Sequence, residues 1–128
     1  MAEVGRIETE RLVLRPYVAE DAPRVLEILS HPEVYPWLDD PPTEPMPDLE
    51  AAHAWVRRVT EREVAHLFDV RRAVEVRETG VVAGTVLVAP AIRKDGTDLG
   101  EHELGWHLHP DSWGNGYATE AAAAMLDR

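Results

Sequence analysis

The sequence predicts one α+β domain (α/β mixed) in which helices pack on a sheet, and three observations support this prediction. Four segments alternate between apolar and polar residues at period two, as half-buried strands do. Two further segments, near 20–31 and 48–63, place apolar side chains at helical spacing. The chain ends in a run of strong helix formers from Tyr117 onward. The resulting order of strand, two helices, three strands and one helix is typical of helices packed against one sheet.

Length and composition limit the classes of protein. The 128 residues are 45% hydrophobic and 29% charged, and a chain of this length buries roughly two-thirds of its unfolded surface, enough for one core. Because cysteine is absent, a disulfide framework, a thiolate nucleophile and Cys-ligated metal sites are excluded. We expect a cytoplasmic protein without a membrane span, since no apolar run reaches ~20 residues and no signal peptide is recognisable.

The charge balance is strongly acidic, with 24 Asp and Glu against 13 Lys and Arg and a formal net charge of -11. Such a field repels the phosphates of nucleic acids and attracts cationic partners such as amines. We therefore expect no nucleic-acid partner.

The first strand is predicted within residues 6–18, where Leu12 and Leu14 alternate with neighbours that would face away from the core, and Pro16 ends the strand or marks an edge. This pattern indicates one buried face. The acidic residues and the proline within 20–23 suit the first turn of a helix, which is predicted to extend to His31.

A stiff extended loop is predicted over 32–48, which contains six prolines. Asp48 opens a second helix that is expected to fray near 63–66. The apolar stripe of this helix consists of Leu49, Ala52, Trp55, Val56 and Val59.

Three strands follow the second helix. Residues 68–77 and 81–88 alternate at period two around a turn at 78–80, and this arrangement predicts a hairpin. After a charged loop, 101–108 is predicted as the third strand of this region.

A glycine turn at Gly114 and Gly116 joins that strand to the last helix. Glycines let several backbone N–H groups point the same way, and the helix N-terminus adds its positive dipole end. The segment is either a phosphate-binding terminus or a plain strand-to-helix turn. A nucleoside-triphosphate P-loop is not supported, because the sequence contains no GxxxxGK[ST]. The dinucleotide fingerprint GxGxxG does not fit either, since Thr119 occupies the position of its third glycine.

Residues 103–121, ELGWHLHPDSWGNGYATEA, resemble the acetyl-CoA signature of the GNAT acetyltransferases, within them the RimJ/RimL-like branch of ribosomal-protein N-acetyltransferases. The family pattern of Arg or Gln, two residues, Gly, one residue, and Gly or Ala falls on Trp113, Gly116 and Ala118. Residues 8–16 and 20–22 are similar to the opening strand and helix start of the same branch. The resemblance implies a GNAT-like central, mostly antiparallel sheet flanked by helices.

The resemblance also implies acetyl-CoA as the acetyl donor and no metal. The strand at Leu108 and its neighbours would pair with the pantetheine arm. Trp113 and Asn115 stand where the family often has a basic residue, so affinity would depend on amides and dipole, or on an Arg or Lys elsewhere. The pyrophosphate would be held by the turn residues Gly114, Asn115, Gly116, Tyr117 and Ala118.

Glu103 is the residue that the resemblance favours as general base for an attacking amine, with Glu101 and His102 as near alternatives. Each of the three is otherwise a solvent-facing strand residue. His107 shares a strand face with Glu103 and is either a proton relay or a space-filling side chain. The remaining histidines show no metal-ligand spacing.

We therefore expect an N-acetyltransferase acting on a primary amine, with a protein N-terminus of the ribosomal type as favoured acceptor. The alternatives are a small-amine acetyltransferase, a non-catalytic acyl-CoA-binding or interaction module, and an unrelated α+β protein. Family members continue beyond this helix with further strands, so 1–128 is expected to be one C-terminally truncated domain. The sheet edge left open would favour self-association into a homo-oligomer.

Overall fold

The computed structural model describes residues 6–37, 44–65, 70–92 and 98–126, and these form an α+β fold, as predicted. One antiparallel sheet has the strand order β1-β2-β3-β4-β5. No helix of these ranges is long and apolar enough to cross a bilayer. The elements are β1 (Ile7–Glu8), β2 (Leu12–Arg15), α1 (Ala22–Leu29), α2 (Leu49–Ala65), β3 (Val70–Val76), β4 (Val82–Ile92), β5 (Asp98–Leu108) and α3 (Tyr117–Leu126).

The predicted first strand is wrong in two respects. Residues 6–18 do not form one strand, because the chain turns back after β1 and pairs Ile7 with Leu14 in antiparallel register. The expected single buried face is also wrong, since Val13 is only 4% exposed and its neighbours Leu12 and Leu14 are fully buried. A strand covered on both faces loses the apolar-polar alternation that would reveal it.

Helices cover both faces of the sheet. Ala73 and Val82 belong to a buried cluster with α1 and α2, whereas Val74 and Val86 belong to a cluster with α3. Since successive strand residues point to opposite faces, α1 and α2 lie on one side of the sheet and α3 on the other. The sheet is thus the middle layer of three.

The start signal of α2 is confirmed, and that of α1 only in part, because Glu20 and Asp21 lie in a short 3-10 turn before the helix. Strand ends differ from the prediction by a few residues. Pro23 lies in the first turn of α1, and Asp48 accepts a hydrogen bond from the Ala51 N–H (2.8 Å), which caps α2. In the β4–β5 pair, β4 continues through Pro90 to Ile92, and β5 begins at Asp98. A register irregularity between Pro90 and Ile92 accommodates the proline.

Tyr17 contacts both the α1–α2 layer and the sheet. Its ring meets Trp55 of α2 edge to face, with ring centroids 5.0 Å apart. Its hydroxyl donates to the carbonyl oxygen of Gly84 (3.0 Å) and lies 2.5 Å from the Thr85 hydroxyl. These bonds satisfy a buried polar group at the centre of the sheet, where burial raises the pKa of Tyr17 above its ordinary value.

The two long strands approach each other closely at Gly84, which pairs with Leu108. A Cβ atom at position 84 would lie 2.0 Å from the carbonyl oxygen of His107 and 2.7 Å from the Leu108 Cα. Only glycine allows the two main chains to approach so closely. The pairing continues beyond β5, as the His109 N–H donates to the Ala83 carbonyl oxygen (2.8 Å).

This approach predicts that Gly84→Ala lowers the free energy of unfolding by about 3 kcal/mol or more, because backbone atoms and not a flexible side chain would have to move. Gly105→Ala is the matched control in the facing strand. Its Cβ would meet only the Leu87 side chain at an ordinary 3.5 Å, so a loss of under about 1 kcal/mol is expected. Urea unfolding measures both values, and equal small losses would contradict the register of β4 against β5.

Candidate functional site

A cleft of about 450 Å³ lies where β5 ends and α3 begins, and the loop after α1 forms its opposite wall. It brings together six of the residues predicted from the sequence. These are Leu108, Trp113, Gly114, Gly116, Tyr117 and Ala118.

The turn between the strand and the helix depends on two glycines in the left-handed region. Gly114 and Gly116 both have φ of +79°, a conformation that L side chains rarely adopt. The Gly116 carbonyl accepts the first bond of α3 from the Glu120 N–H (3.0 Å), so the helix begins directly after it. The N–H groups of Tyr117 and Ala118 therefore have no acceptor within the helix, and both residues line the cleft.

The side chains of Trp113 and Asn115 stabilise the turn through hydrogen bonds to nearby backbone carbonyls. The Trp113 indole N–H donates to the Leu108 carbonyl (2.9 Å), which ties the end of β5 to the turn. Asn115 donates from its side-chain Nδ2 to the carbonyls of Ser112 (3.1 Å) and Trp113 (3.3 Å). Asn115 thus differs from the other predicted residues, because its side chain braces the turn and does not line the cleft.

A cation lies beside this turn, although the turn itself supplies none. Arg11, from the turn between β1 and β2, donates from Nη1 to the Asn115 carbonyl (2.7 Å) and from Nε to Glu120 Oε1 (2.7 Å). Its guanidinium carbon lies 4.9 Å from the centroid of the Tyr117 ring. An Arg or Lys outside the turn was expected only in general terms, and Arg11 is a cation that lies next to the turn.

Glu120 completes this contact in the first turn of α3. Its carboxylate accepts hydrogen bonds from the Thr9 hydroxyl and from the Arg11 backbone N–H (3.0 Å). Burial alone would raise the pKa of Glu120, but the hydrogen bonds from Thr9 and Arg11 outweigh it and the pKa lies below its ordinary value. Glu120 is therefore a carboxylate at neutral pH and Arg11 compensates its charge.

Residues 11–128 match the family model described as acetyltransferase (GNAT) domain, which is nearly the whole chain. The chain belongs to the GNAT acetyltransferase family.

Relatives of this GNAT domain agree with the assignment. It is 29% identical over 119 residues to an uncharacterized N-acetyltransferase, p20, of Bacillus licheniformis, a match that covers 93% of this chain and 62% of the relative. The chain thus spans less than two thirds of that protein's length.

Two solved structures share its fold. An acetyltransferase (GNAT family) from Bacillus anthracis superposes with a TM-score of 0.71 at 22% identity, covering 95% of this chain and 64% of that one. The RimL ribosomal alpha-N-protein acetyltransferase in complex with coenzyme A superposes with a TM-score of 0.72 at 16% identity, covering 95% and 66%.

The candidate base of this GNAT domain lies on β5. Glu103 pairs with Ala89 of β4 and shares a strand face with His107 by alternation. The side chains of Glu103 and of its alternatives, Glu101 and His102, lie outside the described part of the chain. The role of Glu103 therefore stays a prediction.

His107 lines the cleft and is half-buried. Burial, with a smaller contribution from the charge of Arg71, lowers the pKa of His107 to about 4. The imidazole is thus neutral at pH 7 and a weak base, which favours the space-filling role over proton relay.

The wall opposite the turn was not predicted. Glu33 and Val34, from the loop after α1, line the cleft. Two imidazoles join this loop to the turn, with the His31 and His109 ring centroids 5.1 Å apart and nearly perpendicular. Each ring accepts a backbone N–H at Nδ1 (3.1 Å), from Glu33 and Asp111 respectively. Period-two and helical patterns carry no signal for such loop contacts.

The low pKa of His107 predicts an NMR titration midpoint near pH 4 for this imidazole. Because the unfolded chain binds the proton near 6.5 and the folded chain only near 4, the folded state loses stability as the pH falls through this window. His107→Gln removes this part of the acid sensitivity, and unfolding measurements at pH 7 and pH 4.5 test it. A midpoint above pH 6 would contradict the burial of this ring.

Proposed function

We propose that the protein transfers an acetyl group from acetyl-CoA to a primary amine, with a protein N-terminus as favoured acceptor. The observation that carries this proposal is the cleft in which two glycines of positive φ bring the N-terminus of α3 to its wall. Main-chain N–H groups at a helix N-terminus bind phosphate without any charged side chain. The match to the RimL structure, which holds coenzyme A, supports the same assignment.

Acetyl-CoA fits the residues that line the cleft. Its pyrophosphate would lie against the amides of Gly114, Gly116, Tyr117 and Ala118, close to the positive end of the helix dipole. β5 is the last strand of the described sheet, so its outer edge offers main-chain groups to the pantetheine arm. The Leu108 carbonyl is already bonded to the Trp113 indole, and this pairing would therefore involve mainly the residues that precede Leu108.

The chemistry requires a neutral amine, which attacks the thioester carbonyl and releases the thiol of coenzyme A. A primary amine is largely protonated at pH 7, so a base must take its proton. We assign this role to Glu103 of β5, the residue that the resemblance to the family favours, whereas the low pKa of His107 makes that imidazole a weak base. A backbone N–H of β5 would stabilise the oxyanion.

The acceptor class is supported by charge. The net charge of -11 favours the approach of a cationic amine, and Glu33 adds a carboxylate to the wall opposite the turn. A protein N-terminus is favoured over a small amine because RimL is named as an alpha-N-protein acetyltransferase. Acetylation of a polyamine or an aminoglycoside by the purified protein, with no reaction of peptides, would decide for the small-amine alternative.

Thr119→Asp tests the cofactor site. Thr119 is exposed, lines the cleft and lies in the first turn of α3, where an acidic residue stabilises the helix but repels a bound phosphate. We expect acetyl-CoA affinity to fall by about 30-fold or more, whereas the melting temperature stays the same or rises slightly.

Thr119→Asn is the matched control, because Asn has the size of Asp but no charge. The acetyl-CoA affinity of this variant is expected to stay within about threefold of that of the unsubstituted protein. Isothermal titration calorimetry measures both variants. Equal acetyl-CoA affinities for the Asp and Asn variants would contradict the placement of the pyrophosphate at this end of the cleft.

Glu103→Gln tests the base. We expect kcat to fall by about 100-fold or more, with acetyl-CoA affinity unchanged, because only proton removal from the amine is lost. The loss should be smaller at high pH, where the free amine forms without help. Glu101→Gln is the matched control on the same strand, and a larger loss in that variant would transfer the role to Glu101.

A further inference from the structure

The Arg11 side chain contacts the glycine turn from the opposite end of the chain. It binds three groups around the turn, namely the Asn115 carbonyl (2.7 Å), the Glu120 carboxylate (2.7 Å) and the face of the Tyr117 ring (4.9 Å). A Cβ atom at Gly116 would lie 3.4 Å from Arg11 Nη2. The guanidinium is therefore packed directly against the peptide that joins Asn115 to Gly116.

This contact fixes the direction of one N–H group. In a planar trans peptide the carbonyl oxygen and the following N–H point to opposite sides. Because the Asn115 carbonyl points to Arg11, the Gly116 N–H points away from Arg11. A cation on the carbonyl oxygen also polarises the peptide and makes that N–H a stronger donor.

Arg11 is itself held in place. Glu120 accepts from both its Nε (2.7 Å) and its backbone N–H (3.0 Å), and Thr9 donates to the same carboxylate. Together with the bond from Nη1 to the Asn115 carbonyl, two of the three guanidinium nitrogens donate hydrogen bonds within the protein. Arg11 is also absent from the described lining of the cleft, which speaks against direct contact with a ligand there.

We propose that Arg11 is a positioning residue for the pyrophosphate of acetyl-CoA. Held by Glu120, its guanidinium orients the Asn115–Gly116 peptide so that the Gly116 N–H faces the phosphate. This inference rests on the proposed function, since it concerns the same site.

The direction in which one substitution changes acetyl-CoA affinity distinguishes a positioning role from a purely electrostatic one. Glu120→Gln removes a negative charge close to the anion site, and Coulomb repulsion alone would make acetyl-CoA bind more tightly. Positioning predicts the reverse, because the Gln amide keeps only one acceptor oxygen and cannot accept from Arg11 Nε, the Arg11 N–H and Thr9 as the two carboxylate oxygens do. Arg11→Lys separates the same two cases, as lysine keeps the charge but lacks the planar fork that reaches both acceptors.

The test is calorimetry with acetyl-CoA and with acetyl-pantetheine, which lacks the pyrophosphate. We expect Arg11→Lys and Glu120→Gln each to weaken acetyl-CoA binding by about tenfold and to leave acetyl-pantetheine binding unchanged. Arg77→Lys is the matched control, because Arg77 donates from Nη1 to the Thr9 carbonyl (2.8 Å) beside the same β1–β2 turn. Melting temperatures establish that each variant is folded.

Acetyl-CoA affinity that is retained in Arg11→Lys, or that increases in Glu120→Gln, would overturn the role of Arg11. An equal loss for acetyl-pantetheine would also overturn it, since the effect would not involve the pyrophosphate. If the unsubstituted protein binds no acetyl-CoA, the proposed function fails, and this outcome differs from binding that the substitutions leave unchanged.

Discussion

The close approach of β4 and β5 at Gly84 is the constraint on which the rest of the site depends. The absence of a side chain there lets the His107 carbonyl and the Leu108 Cα lie against β4, which sets the point where β5 leaves the sheet. From that point the chain turns through two glycines of positive φ into α3. The helix then packs on Leu12 and Leu14 at the far side of the sheet. The cleft is the space that this change of direction leaves at the end of β5.

A protein with a net charge of -11 needs local positive potential to bind the anionic cofactor proposed above, and in the cleft the backbone would supply most of it. The amides and dipole at the start of α3 provide fixed partial charges that cost little desolvation. The carboxylate of Glu120 in the same turn would oppose them, but its ion pair with Arg11 cancels this charge. The net negative charge of the chain would still attract the proposed cationic acceptor.

Local patterns predicted most of the fold, because the proline at the start of α1, the cap of α2, the β3–β4 hairpin and the glycine turn each depend on residues close in sequence. The candidate cofactor residues came from the resemblance to the acetyl-CoA signature, and six of those seven line one cleft. The split of β1 from β2 and the burial of Val13 were not predictable, because coverage of both faces removes the alternation. Arg11 was missed as part of the site because its acceptors are 104 and 109 residues away. The opposite charges of Arg11 and Glu120, which lie in the two segments that resemble the family, were the one sequence signal that could have predicted this contact.

The most direct test of the central claim is a titration of the ¹⁵N-labelled protein with acetyl-CoA, followed by amide chemical shifts. We expect saturable changes that are largest at residues 114–118 and that extend into β5 among the residues preceding Leu108. Saturable changes centred instead on the separate groove near Thr9, Ala123 and Leu126 would contradict it. No change at any amide of a folded sample would also contradict it.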